Sequence, residues 1–147
     1  MQKLLIALNI SDSDGLVIGH ARVLANAFRA RLRLVHVATP PPDFVGYEVG
    51  PQYIRDARAE DLKKEHAALL HMRDQLSADG FEVDHRLVMG PIVETLVAEA
   101  EAFGADLIVM GSHGRRGIAR MMDGSVSEDI LKEHRWPLFI IPVAPES

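Results

Sequence analysis

The sequence predicts an α/β protein: an open, doubly wound, five-stranded parallel sheet with helices on both faces. Three observations predict it. Short, largely apolar runs recur at residues 3–8, 32–37, 107–110 and 138–141, and such runs suit strands buried on both faces of a sheet. Segments with helical apolar spacing lie between them, and strands alternating with helices imply crossover connections and a parallel sheet. The chain has 147 residues and no internal repeat, which fits one domain over 1–147 with a sizeable core.

The elements follow in order. After the first run, Ser11, Asp12, Ser13 and Asp14 offer N-cap oxygens. Val17, Ala21, Leu24 and Phe28 fall at helical spacing and predict the first helix. Residues 32–37 predict the second strand, and His36 inside it reads as a hydrogen-bonded core histidine. Residues 39–52 hold four prolines and two glycines, and fit either a lid or a plain surface loop. The longest helix is expected over 53–78, with Ile54, Leu62, Leu69, Met72 and Leu76 on one stripe, His66 at its edge, and Gly80 as the residue that ends it. Residues 81–89 alternate more, as an edge strand does. Pro91 is placed at the first position of the third helix, whose stripe is Val93, Leu96, Val97, Ala100 and Phe103, with Gly104 at its end. Residues 107–110 give the fourth strand. A glycine-rich loop, a helix over 125–134, the stop Trp136-Pro137 and a fifth strand over 138–141 complete the chain.

Composition narrows the function. Charged residues make up 25% and the net charge is −5, so the balance argues against general nucleic-acid affinity. No apolar run approaches the roughly 20 residues that cross a bilayer, and no signal peptide is apparent, so a cytoplasmic protein is expected. There is no cysteine, which excludes disulfides and thiolate metal sites. The seven histidines are scattered, with no HExxH and no close pair suited to zinc.

The chemistry concentrates in residues 111–125, GSHGRRGIARMMDGS. Three arginines face one acid there, against the acidic background of the chain. In doubly wound sheets ligands sit beyond the carboxyl ends of the strands, where strand order reverses. Gly111 and Gly114 allow close backbone approach to a ligand, and Gly124 and Ser125 open a helix whose free N–H groups favour an anion. The same residues also fit a simple turn and an N-cap. There is no GxxxxGK[ST] and no GxGxxG, so neither the P-loop nor the dinucleotide fingerprint applies. Asp12, Asp14 and Asp123 are metal-contact candidates that read equally as turn and cap residues.

The spacing Gly111-x-x-Gly114, nine residues, Gly124-Ser125 resembles the ATP-binding signature of the universal stress protein family. The flanks DLIVMGSHGRRG, GSVSEDIL and PLFIIPV, the SDSD turn and Leu34-Val-His-Val37 extend the resemblance over essentially the whole chain. It implies an adenine nucleotide alpha hydrolase-like sheet of strand order 3-2-1-4-5, an adenine nucleotide (ATP, with or without Mg²⁺) as ligand, and a homodimer joined through 138–143. It places Gly111, Gly114, Gly124, Ser125 and Val126 at phosphates and ribose, Ala7 and Asn9 beside the adenosine, Val37 at adenine and Met110 along the pocket. His113 and Arg115 are further contacts in the loop, with a solvent-facing role as the alternative for both, as for Arg116 and Arg120. The family usually has Asp where this chain has Asn9. An amide in place of a carboxylate exchanges a charge-assisted bond for a neutral one, an expected loss of ~1 kcal/mol, about five-fold in affinity. The sequence offers no convincing catalytic set. A regulatory nucleotide binder is therefore expected. The alternatives are a slow ATP-hydrolysing enzyme and a chaperone-like dimer with a vestigial site.

Overall fold

The computed structural model describes residues 1–38, 52–112 and 124–144, with side chains from 58 onward in the second segment and from 126 onward in the third. Nine elements alternate: β1 (Lys3–Ala7), α1 (Asp14–Phe28), β2 (Arg31–Ala38), α2 (Gln52–Ala78), β3 (Val83–Met89), α3 (Ile92–Phe103), β4 (Leu107–Gly111), α4 (Gly124–Leu131) and β5 (Leu138–Ile141). The strands form one sheet in the order β3-β2-β1-β4-β5, with every neighbouring pair parallel. This is the expected doubly wound sheet. The order reverses between β1 and its neighbours, so β1 and β4 flank the switch point.

The continuous apolar runs are explained by two cores. Leu4, Ile6, Leu32, Leu34, Leu107 and Val109 face one side with α1 and α2, while Leu5, Val35, Ile108 and Met110 face the other with α3 and α4. Strands with both faces covered have no solvent side and no alternation. The edge strand β3 is only half-buried along its length, as its alternating sequence implies. At the opposite edge, Phe139 and Ile140 of β5 are 37% and 41% exposed.

Several local expectations are corrected. The buried stripe of α1 runs Asp14, Val17, Ala21 and Ala25, while Phe28 is exposed. Phe28 is the last helical residue. Three residues past the buried Ala25, it sits about 60° off that stripe, and the chain then turns left-handed at Arg29, φ 53°. Ser13 is the N-cap of α1 but makes no side-chain cap bond; its hydroxyl lies 3.0 Å from that of Ser11, and the Leu16 and Val17 N–H groups donate to its carbonyl. Pro91 is the N-cap of α3, one residue before its expected place. On α2, Glu65 rather than His66 falls on the buried stripe with Leu69 and Leu76. Positions 62, 65, 69, 72 and 76 keep helical phase, and His66 lies about 100° further round, exposed. Gly104 ends α3 as expected, left-handed at φ 72°, its N–H donating to Ala100 and Glu101.

Candidate functional site at the carboxyl ends of the central strands

Ala7, Val37 and Met110 stand at the carboxyl ends of β1, β2 and β4. All three are buried in the cluster on the α3 and α4 side, together with Ile92 and Leu96 of α3 and Val126 of α4. Asn9 lies two residues past β1, is buried, and lines a crevice with Ala7, Val37, Ile92 and Leu96. The fold thus sets Ala7, Val37, Met110 and Val126 in one buried cluster, and Ala7, Asn9 and Val37 around one narrow crevice of about 10 Å³, with Ala7 and Val37 common to both. Wider, open hollows of about 670 and 830 Å³ lie elsewhere, at the amino ends of β1 and β2 and between α3 and α4.

Gly111 pairs with Ile141 at the end of β4. A Cβ built on it would lie 3.3 Å from Val143 Cγ2 and 3.5 Å from Val17 Cγ2. Its missing side chain therefore lets β4 close against α1 and the segment after β5. Ser112 ties the same place together: Val143 N–H donates to its Oγ at 3.0 Å, and the Oγ donates to the Val143 carbonyl at 3.2 Å. His113, Gly114, Arg115, Arg116, Arg120 and Asp123 lie outside the described residues, as does the segment 39–51. Gly124 and Ser125 begin α4, where only their backbone is described.

Two buried polar groups that sequence reasoning undervalued shape the turn after β1. The first is Asp14. Its Oδ1 accepts the Asn9 N–H at 3.2 Å and its Oδ2 accepts the Ser11 N–H at 3.2 Å. Burial raises its pKa above the ordinary 3.8, opposed by the N–H groups of Asn9 and Ser11, the nearby His36 and the Ile10 N–H. Ile10 between them is left-handed at φ 55°, a rare conformation for a β-branched residue. The second is His36, buried in β2 as expected. Its Nδ1 lies 2.9 Å from the Leu8 carbonyl and its Nε2 lies 3.2 Å from Glu65 Oε2. A carbonyl oxygen only accepts, so Nδ1 carries a proton and Nε2 faces the carboxylate. His36 thereby holds the residue just before Asn9.

One histidine contact joins residues far apart in the sequence. Folding lays α2 against β3 and brings His66 and His85 to 3.3 Å between their Nε2 atoms. Burial lowers the pKa of His85, and Arg73 and His66 lower it further. Among the described residues, no group of three or more His, Cys, Asp or Glu is placed to hold a metal ion. Among them too, no helix is long and apolar enough to cross a membrane.

The family model described as Universal stress protein family matches residues 1–142. Universal stress protein A homolog 2 of Coxiella burnetii is 30% identical over 135 residues, covering 88% of this chain and 87% of its own. Among solved structures, that of the protein MJ0577 superposes with a TM-score of 0.75 at 23% identity, over 99% of this chain and 98% of that one. A universal stress protein solved in complex with cAMP superposes with a TM-score of 0.64 at 25% identity, over 95% of each chain.

Proposed function

This chain belongs to the universal stress protein family, and from that premise we propose that it is an ATP-binding regulatory protein of the stress response, cytoplasmic and homodimeric. The nucleotide lies across the carboxyl ends of β1 and β4. Adenine packs at Val37, and Ala7, Asn9 and Met110 border the adenosine. Gly111, Gly114, Gly124, Ser125 and Val126 hold ribose and phosphates, with His113 and Arg115 reaching in from the same loop.

The observation that carries this reading is the convergence of Ala7, Asn9, Val37, Met110 and Val126 at the switch point of the sheet. The apolar members offer a base a dry wall, and Asn9 offers the ribose or base both donors and an acceptor. That a relative of the same fold is solved in complex with cAMP supports an adenine nucleotide as the ligand class. Mg²⁺, where it takes part, arrives on the phosphates. The exposed Phe139 and Ile140 at the β5 edge support the dimer, since pairing with a second copy would cover both them and the open strand.

Thermal melting tests the reading. A ligand at 100 times its dissociation constant adds ~2.7 kcal/mol, which raises the melting temperature of a chain this size by about 5–11 °C. Millimolar ATP is expected to give such a shift, and no shift with any adenine nucleotide would remove the proposal. Phosphate release faster than ~1 per second would instead make the protein an enzyme.

A further inference from the structure

We infer that Asp14 is a positioning residue for the nucleotide crevice, filling a backbone anion nest with the chain's own carboxylate, and that residue 9 is an amide because this charge is already in place. The inference rests on the nucleotide-binding reading of the crevice.

Successive backbone N–H groups around a left-handed residue form a concavity that binds an anion. Here the residues are Asn9, Ile10 and Ser11, with Ile10 at φ 55°. Elsewhere such nests receive a phosphate. In this chain the Asp14 carboxylate occupies it, accepting from Asn9 and Ser11 at 3.2 Å each and from the Ile10 N–H. Asp14 is 6% exposed, and among the described residues no arginine or lysine pairs with it. Backbone N–H groups, with His36 nearby, therefore favour the charge. In return, the carboxylate holds Ile10 in a conformation that a β-branched residue otherwise avoids.

The consequence falls on Asn9. Its N–H is tied to Asp14, while the residue itself lines the crevice with Ala7 and Val37. The carboxylate thus fixes the backbone from which Asn9 meets a ligand. A carboxylate on residue 9 would add a second negative charge to a residue whose backbone N–H already binds the Asp14 carboxylate at 3.2 Å, and like charges at close range disfavour each other. Asn9, the departure that the sequence resemblance exposes, is the residue type this neighbour permits. The phosphates are left to the loop after β4, because the nest after β1 is filled from within.

The test compares calorimetric AMP affinity in wild type, Asp14→Ala, Asn9→Asp and Asn9→Asp with Asp14→Ser, each checked by thermal melting. Asp14→Ala is expected to bind AMP about tenfold more weakly or worse, with excess sodium formate restoring part of the loss by refilling the nest. Asn9→Asp alone is expected to bind no better than wild type, and adding Asp14→Ser to it should tighten binding by about tenfold. Tighter binding by Asn9→Asp alone, unchanged affinity in folded Asp14→Ala, or a loss that formate leaves untouched would each overturn the assignment. If Asp14→Ala melts below the assay temperature, Asp14→Asn serves in its place. Absence of AMP binding in wild type would remove the nucleotide reading itself. The nest is then judged from amide NMR without nucleotide. The Asn9, Ile10 and Ser11 amides should shift together on Asp14→Asn, and unmoved amides would overturn it.

Discussion

Replacing His36 by Leu should be among the costliest single changes in the chain. The substitution keeps an apolar body of similar size in the core but takes the imidazole away from two groups it contacts. The Leu8 carbonyl loses a donor at 2.9 Å, and the Glu65 carboxylate, 8% exposed, loses the imidazole at 3.2 Å. The Arg58 guanidinium, 3.9 Å from Glu65, remains as a longer-range partner. Leaving a buried polar group without its partner costs about 1–3 kcal/mol, and more when the group is charged, as the Glu65 carboxylate is. With a urea m-value of about 2 kcal/mol/M, a loss of 3 kcal/mol moves the unfolding midpoint down by about 1.5 M. Glu65→Gln is the control. Its amide donates to Nε2 of a neutral His36 whose Nδ1–H still serves Leu8, so a loss of about 1 kcal/mol or less is expected. Glu65→Leu, which leaves Nε2 with no such donor, should fall between the two. The assay is urea unfolding at neutral pH. Equal losses for Glu65→Gln and Glu65→Leu, or a His36→Leu loss below about 1 kcal/mol, would refute the proton placement and the energetic role given to the pair.

Acid unfolding should separate two aspartates of opposite sign. Burial raises Asp14 above 3.8, so the native state holds the extra proton between the ordinary and the folded pKa. This contribution to stability therefore falls as pH rises through that window, and Asp14→Asn should abolish that slope. The N–H groups of Gln2 and Lys3 lower Asp106 below 3.8. Its stabilisation is complete above the ordinary value and is lost as pH falls through the folded pKa, a slope that Asp106→Asn should remove. Gly111→Val should destabilise by about 1–3 kcal/mol, since Val143 and Val17 already occupy the space its methyls need; an unchanged midpoint in denaturant would contradict the close packing. Light scattering should find wild type at twice the 16.2 kDa chain mass and Ile140→Lys at the chain mass, while a wild-type species at 16.2 kDa would reject pairing through β5.

The sheet was legible because its strands are buried on both faces and its helices on one. Residues 4–8 and 107–110 carry unbroken apolar runs, as the centre of such a sheet requires. The exposed alternation of β3 marked an edge for the same reason. What escaped was phase and pairing. The stripe of α2 was read with His66 at its edge, yet one residue is a rotation of about 100°, and Glu65 is the polar group turned inward. No pattern could announce it, because its partner His36 lies 29 residues away in another element. Asp14 was read among four cap-like residues at 11–14, which local sequence leaves equivalent. Only the buried left-handed turn at Ile10 sets it apart. Of the site, the strand-end residues Ala7, Val37 and Met110 were readable from strand order and the family resemblance. Gly111 was read for its freedom near a ligand, and its contacts with Val17 and Val143 add a packing role that spacing alone could not disclose.

In the proposed function, the crevice at the ends of β1 and β4 takes an adenine nucleotide with its phosphates on residues 111–125. Isothermal titration of wild type and of Gly114→Val with ATP tests it directly. A valine there places a branched side chain where close backbone approach is required. The expected result is saturable binding of one ATP per chain by wild type, and loss of that binding in Gly114→Val with its melting temperature largely kept. Equal affinity in the two proteins, or no binding in wild type, would contradict it.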